Sequence, residues 1–249
     1  MVVPYYICRG EGDKALLFVH GLGENLESWS NQIDYFSRSG CVSIALDLRG
    51  HGKSKDAEKK IEMEGFANDV FDVLDSLSVK SANLCGLSMG GLVVLEAYSR
   101  RPEVFDSMIL VSVIPQYPPA QSAALEMMSM KEIADQVASF AVAPTASVEL
   151  KRSIAKMISQ TNKSSYIQSA EAACAQDYSG MLATIRVPTL LIAGELDFVT
   201  PPEAAKYIQK RVPGCRMQVM KGTGHLPNRE NPREFNHIVE EFLRTSQGR

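Results

Sequence analysis

The sequence lacks the features that mark membrane, secreted and nucleic-acid-binding proteins. No apolar run approaches the roughly 18 residues of a membrane-spanning helix, and the first residues show neither the basic start nor the apolar core of a signal peptide. The 26 basic and 29 acidic residues are well mixed and give a formal net charge of −3, so no basic stripe for nucleic acid is indicated. These absences favour a globular protein that acts on a small molecule.

Cysteine is also scarce, with five residues that are widely scattered and never in C-x-x-C spacing. An odd number in this arrangement argues against a disulfide framework and against a zinc site. We therefore expect reduced thiols, a cytoplasmic location and no metal. The sequence shows no glycine-rich fingerprint for phosphates or dinucleotides, so no cofactor is expected either.

What the sequence does have is an alternation of short apolar runs with amphipathic stretches. Such continuous apolar runs are typical of parallel strands that are covered on both faces by helices. We therefore predict an α/β fold with a mostly parallel, doubly wound sheet. The predicted strands are 15–21, 41–47, 82–88, 107–113, 188–194 and 216–222, and the predicted helices between them are 27–38, 65–77, 89–100, 203–211 and 232–245.

One segment, 114–186, interrupts this alternation. It opens with IPQYPPA, whose prolines cannot continue a helix. Helical patterns rich in alanine and methionine follow at 123–140, 147–160 and 165–177. We interpret the segment as a helical cap over the strand ends, inserted into a core formed by 1–113 and 187–249. Extra helices on the flank of the sheet are the alternative.

The junction at 86–90, GLSMG, fits the pattern G-x-S-x-G and lies directly between a predicted strand and a predicted helix. Glycines at both ends let strand and helix cross closely, so the turn lifts Ser88 into the open. The helix that begins at Met89 directs its first N–H groups toward a developing oxyanion, which makes the Met89 N–H a predicted donor. A structural serine in a glycine-rich turn is the alternative.

A serine nucleophile needs a histidine base and an acid that orients it. Of the four histidines, His225 suits the base, because it follows the last predicted strand at the sheet edge where Ser88 also emerges. His237 falls within the last predicted helix and is expected at the surface. Asp197, just past a strand end, is the expected acid, with Glu195 as its competitor. The order serine, aspartate, histidine is typical of a nucleophile elbow.

With these motifs the sequence resembles the α/β-hydrolase family over essentially its full length. The segment 18–29, FVHGLGENLESW, is similar to the family's oxyanion loop, which implies the Leu22 N–H as a second donor. The segment 47–54, DLRGHGKS, resembles a loop of the single-domain members. The resemblance implies structural roles for His20 and His51. The N-terminus is a departure from many members, because its short length is expected to leave room for little of the first hairpin that they have.

Within that family the segments GLSMGG, TPPEAAKYIQKRVPG and GHLPNRENPREFN resemble those of small esterases and 3-oxoadipate enol-lactonases. The expected function is therefore hydrolysis of carboxylic esters with small to medium acyl chains through an acyl-enzyme. An enol-lactonase or a carbon–carbon bond hydrolase is the alternative, although Leu226, where the latter often carry tryptophan, counts against it. A non-catalytic ligand-binding receptor is the alternative of another class.

The expected partner is a small ester or lactone, and oligomeric state is left open. Apolar side chains of the insertion are predicted to form a deformable wall above the serine. The alternative is that they only join the cap helices to each other. The predicted substrate-binding residues are Met127, Met128, Met130, Phe140 and Met157.

Overall fold

The computed structural model describes residues 3–55 and 60–246. The predicted core also includes 1–2, 56–59 and 247–249, which lie outside the described residues. The described part forms seven strands: β1 Tyr6–Arg9, β2 Lys14–Val19, β3 Cys41–Leu46, β4 Ala82–Leu87, β5 Phe105–Val111, β6 Thr189–Gly194 and β7 Arg216–Met220.

The helices follow the strands in the expected alternation, and in the described part of the chain none is long and apolar enough to cross a bilayer. They are α1 Ser30–Phe36, α2 Met63–Ser76, α3 Met89–Arg100, α4 Ser122–Met127, α5 Met130–Phe140, α6 Val148–Ser159, α7 Lys163–Cys174, α8 Pro202–Gln209, α9 Pro227–Glu230 and α10 Pro232–Thr245. Short 3-10 turns cover Leu26–Trp29, Gly52–Ser54, Pro102–Val104 and Ser179–Thr184.

The strands form one sheet in the order β1-β3-β2-β4-β5-β6-β7. All neighbours are parallel except β1, which runs antiparallel to β3 with Tyr6 opposite Leu46. The predicted α/β-hydrolase fold is thereby confirmed. The sequence did not predict β1, because its four residues, YICR, lie at the edge of the sheet, where the first two are partly buried and the last two are exposed.

Alternate residues of the central strands face two different apolar layers, as the period of two in a strand requires. On β2, Leu17 and Val19 belong to the layer that α2, α3 and α8 cover. Leu16 and Phe18 belong to the layer that α1 and α10 cover, where the Phe18 ring stacks on Trp29 with centroids 4.9 Å apart. The core therefore lies on both faces of the sheet and holds its carboxyl edge rigid.

The insertion between β5 and β6 contains α4 to α7. The helix predicted over 123–140 is in fact two helices, α4 and α5. Met128 is extended (φ −97°, ψ 150°), and Ser129 caps α5 through a reciprocal capping box with Glu132. The serine three residues before a glutamate is the signal that marks this break.

The crossing of β4 and α3 leaves no room for side chains. A Cβ atom on Gly86 would lie 2.2 Å from the Gly90 carbonyl oxygen, and one on Gly90 would lie 2.3 Å from the Val19 carbonyl oxygen. Both neighbours are backbone atoms that a rotamer change cannot move. The glycines of the elbow are therefore a packing requirement of the strand–helix crossing.

Two buried histidines join the loops that follow β2 and β3. His20 accepts a hydrogen bond from the Leu48 N–H at 3.1 Å, and His51 accepts one from the Gly23 N–H at 3.3 Å. The ring centroids lie 5.1 Å apart. Burial lowers the pKa of His20 to about 4 and that of His51 to about 3, and the neighbouring ring of His20 further disfavours a proton on His51. Both rings are therefore neutral near pH 7.

We expect Gly90→Ala to destabilise the protein by more than about 3 kcal/mol, because its Cβ atom must displace the β2 backbone. This lowers the melting temperature by at least about 6 °C, which calorimetry or circular dichroism measures. Gly180→Ala is the control, because a Cβ there meets nothing within 4 Å. Equal melting temperatures for the two variants would contradict the packing argument.

We expect the free energy of unfolding to fall between pH 7 and pH 5, because the histidines of the unfolded chain take up protons that the buried rings do not. For a ring whose pKa falls from 6.5 to about 3 on folding, the loss is about 2 kcal/mol. His51→Gln, which keeps an acceptor for the Gly23 N–H, removes that contribution. Urea unfolding at both pH values measures the difference, and a variant with the wild-type pH dependence would refute it.

Candidate active site

Ser88 occupies the turn between β4 and α3 in a strained left-handed conformation, with φ 54° and ψ −118°. Its N–H donates to the Val111 carbonyl oxygen at 2.9 Å, which holds the turn against the end of β5. A non-glycine residue with positive φ is uncommon and often marks a functional site. The side chain is half-buried and lines a cavity at the carboxyl edge of the sheet.

Asp197 and His225 form a buried pair in the loops after β6 and β7. Asp197 Oδ2 lies 2.9 Å from His225 Nδ1 and accepts the Thr200 hydroxyl at 2.6 Å, while Oδ1 accepts the N–H groups of Val199 and Thr200, each at 2.8 Å. The carboxylate faces Nδ1, so that nitrogen carries the ring proton and Nε2 is left as a base.

The pKa of Asp197 reflects a competition between burial and its donors. Burial raises the pKa, but the hydrogen bonds from His225 and Thr200 and the charge of His225 outweigh it and hold the pKa below its usual range. Asp197 is therefore ionised near pH 7 and able to stabilise an imidazolium. Glu195 is exposed and accepts the Gly222 N–H at 2.9 Å, and His237 is exposed on α10, so neither approaches the cavity.

The loop after β2 supplies the second predicted oxyanion donor. Gly21 N–H donates to Glu24, Glu24 N–H to Gly21, and Gly23 N–H to His51, whereas the Leu22 N–H has no acceptor among the described residues. The Met89 N–H is the first of α3 and has no partner within the helix. Leu22 lines the cavity beside Ser88.

The cavity has a volume of about 220 Å³ and a mostly apolar wall. Core loops supply its floor, and α5, α6 and α7 of the insertion supply its roof. Its lining residues are Gly21, Leu22, Glu24, Leu87, Ser88, Tyr117, Val137, Phe140, Ala141, Ile158, Tyr166, Val199, His225 and Leu226.

The structure corrects the predicted methionine wall. Phe140 lines the cavity, but none of the four methionines does. Met127 is 89% exposed at the end of α4. Met128 and Met130 are partly buried against an apolar cluster that includes residues of the insertion helices α5 and α6, and Met157 borders a separate open groove. Helical spacing places these side chains on a face, and it does not identify what that face meets.

Sequence reasoning missed three polar residues of the cavity wall, Tyr117, Glu24 and Tyr166. Tyr117 lies in the proline-rich start of the insertion, and its hydroxyl is 3.4 Å from Ser88 Oγ. Burial and the negative charge of Asp197 raise the pKa of Tyr117, so the phenol is protonated near pH 7. Burial likewise raises the pKa of Glu24, although Arg229, the Gly21 N–H and His225 oppose the shift. The available signal for Glu24 was its place in the oxyanion loop, whereas Tyr117 lies among prolines and had no such signal.

Besides the contact between Tyr117 and Ser88, four hydrogen bonds among the described residues tie the insertion to the loops of the site. The His225 N–H donates to the Ala141 carbonyl at 2.8 Å, and the Ala143 N–H donates to Glu230 at 2.8 Å. Glu230 also accepts the Gly224 and Leu226 N–H groups that flank the histidine. The remaining two bonds run from Thr161 Oγ1 to the Gly23 carbonyl at 2.9 Å and from Arg229 to Ser153 Oγ at 2.8 Å.

Within residues 3–55 and 60–246, no group of three or more histidine, cysteine, aspartate or glutamate side chains could hold a metal ion. The absence of a cofactor stays a prediction.

Comparison with known proteins adds independent information. A model described as alpha/beta hydrolase fold matches residues 14–165, and one described as TAP-like protein matches 171–248. The chain is 30% identical to 3-oxoadipate enol-lactonase 2 of Acinetobacter baylyi, over 96% of this chain and 92% of that protein. It is 27% identical to a strigolactone esterase of Pisum sativum, over 93% of each chain.

A solved hydrolase structure from Pseudomonas aeruginosa is 28% identical, with a TM-score of 0.88 over 96% of this chain and 93% of that one. Sequence, fold and the strained serine turn therefore agree, and this chain is a hydrolase that belongs to the α/β-hydrolase family.

Proposed function

We propose that this protein is a serine hydrolase that cleaves carboxylic esters of small to medium acyl chain through an acyl-enzyme. The observation that carries the proposal is that one small cavity contains Ser88 on its strained turn and the His225 ring that Asp197 orients. This combination of a nucleophile, a base and an orienting acid at one sheet edge is what acyl transfer requires. The insertion 114–186 acts as the cap, because α5 to α7 roof this cavity.

In the proposed mechanism, His225 Nε2 takes the proton of Ser88 Oγ while that oxygen attacks the ester carbonyl carbon. The N–H groups of Leu22 and Met89 stabilise the oxyanion, and Asp197 stabilises the imidazolium. The tetrahedral intermediate then collapses to the acyl-enzyme. The leaving oxygen takes the proton from His225 and departs as the alcohol. Water then attacks the acyl-enzyme with His225 again as base, and the acid is released.

The cavity favours small substrates, because its volume of about 220 Å³ is below the roughly 300–1,000 Å³ of pockets that hold drug-sized ligands.

An enol-lactone is a cyclic ester and takes the same steps, so a lactonase remains the alternative, supported by the enol-lactonase relative. A carbon–carbon bond hydrolase has less support, because Leu226 follows His225 at the position where those enzymes often carry tryptophan. The serine, histidine and aspartate set argues against a receptor without turnover. A cytoplasmic location stays a prediction.

Tyr117 is proposed as a positioning residue for the nucleophile. Its protonated hydroxyl, 3.4 Å from Ser88 Oγ, donates to that oxygen and leaves the serine proton directed to His225. The residue contacts the nucleophile from the side of the cap, so it also marks where the acyl or alcohol part of a substrate ends.

We expect Ser88→Ala to lower kcat for p-nitrophenyl esters by at least about 1000-fold, because nucleophile and base act as a unit. Acetate, butyrate, octanoate and laurate esters, with a simple enol-lactone, are assayed spectrophotometrically with both proteins. The small cavity predicts a maximum of kcat/KM at acetate or butyrate. Normal turnover by the variant would refute the mechanism, and faster turnover of the lactone would favour the alternative.

We expect Tyr117→Phe to lower kcat by about tenfold or less, since one neutral hydrogen bond contributes about 0.5–1.5 kcal/mol. KM for short esters stays within about twofold, because the variant keeps the ring that lines the cavity. Tyr178→Phe is the matched control, since the Tyr178 hydroxyl bonds Glu96 at 2.9 Å outside the cavity. Equal kcat values for both variants would remove Tyr117 from this role.

A further inference from the structure

Glu24 places a buried carboxylate in the wall of the catalytic cavity. Its side chain is 4% exposed, and it lines the cavity with Ser88 and His225. Oε2 accepts the Gly21 N–H at 3.3 Å, whereas Oε1 is buried and has no hydrogen-bond partner among the described residues. A carboxylate oxygen that is buried without a hydrogen bond lowers the stability of the folded protein, so a positive charge is expected close to it.

Arg229 supplies that counter-charge from behind the cavity wall. Its Nη1 lies 3.5 Å from Glu24 Oε1, and its Nη2 donates to Ser153 Oγ at 2.8 Å. Arg229 borders the outer groove and does not line the catalytic cavity. The arginine therefore stabilises Glu24 without offering its own charge to a bound substrate.

The rest of the wall offers hydrogen-bond donors but no positive charge to a substrate anion. Among the described residues that line the cavity there is no lysine or arginine, and Glu24 is the only carboxylate. His225 must be neutral to act as the base, and Tyr117 and Tyr166 also line the cavity, where burial raises the pKa of both phenols and keeps them uncharged near pH 7. A substrate carboxylate that enters loses its water, finds no cation and faces Glu24 in a medium of low dielectric constant.

We propose that Glu24 restricts this site to esters and lactones that are uncharged, and that it is the residue that rejects substrates with a carboxylate. The proposal rests on the proposed ester hydrolysis and specifies its substrate class. It separates two kinds of lactone in particular. A lactone formed from a dicarboxylic acid keeps a free carboxylate and is a poor substrate, whereas a lactone of a simple hydroxy acid is accepted.

A matched pair of esters tests the proposal. Monoethyl succinate and ethyl 4-oxopentanoate have nearly the same shape, but a carboxylate in the first replaces an acetyl group in the second. Ethanol release is measured at pH 8. We expect the wild-type protein to cleave the uncharged ester with a kcat/KM at least about 100-fold higher, and comparable values for the two esters would overturn the proposal without any variant.

Glu24→Gln keeps an acceptor for the Gly21 N–H and exposes the charge of Arg229 to the cavity. We expect the ratio of the two kcat/KM values to fall at least tenfold, whatever happens to the absolute rates. Glu27→Gln removes the same charge from an exposed position of the same loop, and its ratio stays within twofold of wild type. An unchanged ratio in the Glu24 variant would assign the selectivity to another cause and refute the role of Glu24.

The same preference is measured as binding, so that failure of the two proposals can be told apart. Calorimetric titration of Ser88→Ala with both esters reports affinity without turnover. Selective binding of the uncharged ester, with no cleavage by the wild-type protein, would refute the ester hydrolase and leave the charge selection intact. Cleavage of both esters, with equal affinities, would refute the charge selection alone.

Discussion

The close crossing of β4 and α3 is the constraint on which the rest of the site depends. The backbones approach so closely that Cβ atoms at Gly86 and Gly90 would overlap carbonyl groups, and Ser88 is forced to a positive φ. The hydrogen bond from the Ser88 N–H to Val111 fixes this turn against β5. The parallel sheet then brings the loops after β2, β6 and β7 to the same edge. The proposed nucleophile, oxyanion donors and base therefore meet at this edge.

A second network fixes the partners of that turn. Asp47 accepts the Leu26 and Lys53 N–H groups, both at 2.7 Å, so it joins the loop after β2 to the loop after β3. The neutral rings of His20 and His51 lie between the same loops. The position of the Leu22 N–H is thus determined by buried groups that never touch a substrate. Polar groups that are fully bonded in this way specify one loop conformation.

Much of the site could be predicted from the sequence, because its key residues follow directly on strands. Ser88, Asp197 and His225 each come just after an apolar run, and parallel topology alone places strand ends together. Tyr117 could not be found in this way, since it lies among prolines with no periodic pattern and meets Ser88 only through the fold of the insertion. The prediction for the methionines was wrong for a related reason. The sequence shows which residues share a face of a helix, but it does not show which residues that face contacts. Strand β1 was not predicted, because an edge strand does not require a continuous apolar run.

Hydrogen bonds join the insertion to the loops that carry the proposed catalytic residues. The His225 N–H bonds to Ala141, Glu230 bridges Ala143 to the residues beside the histidine, and Thr161 bonds to the oxyanion loop. If the insertion swung away as a rigid unit, these bonds would break, and His225 and the loop of Leu22 would lose their support together. Motion of single side chains at the cavity wall, such as the half-exposed Phe140, would widen the cavity with these bonds intact. The insertion therefore supports the loops that carry the proposed catalytic residues, and its replacement by a relative's insertion would remove that support.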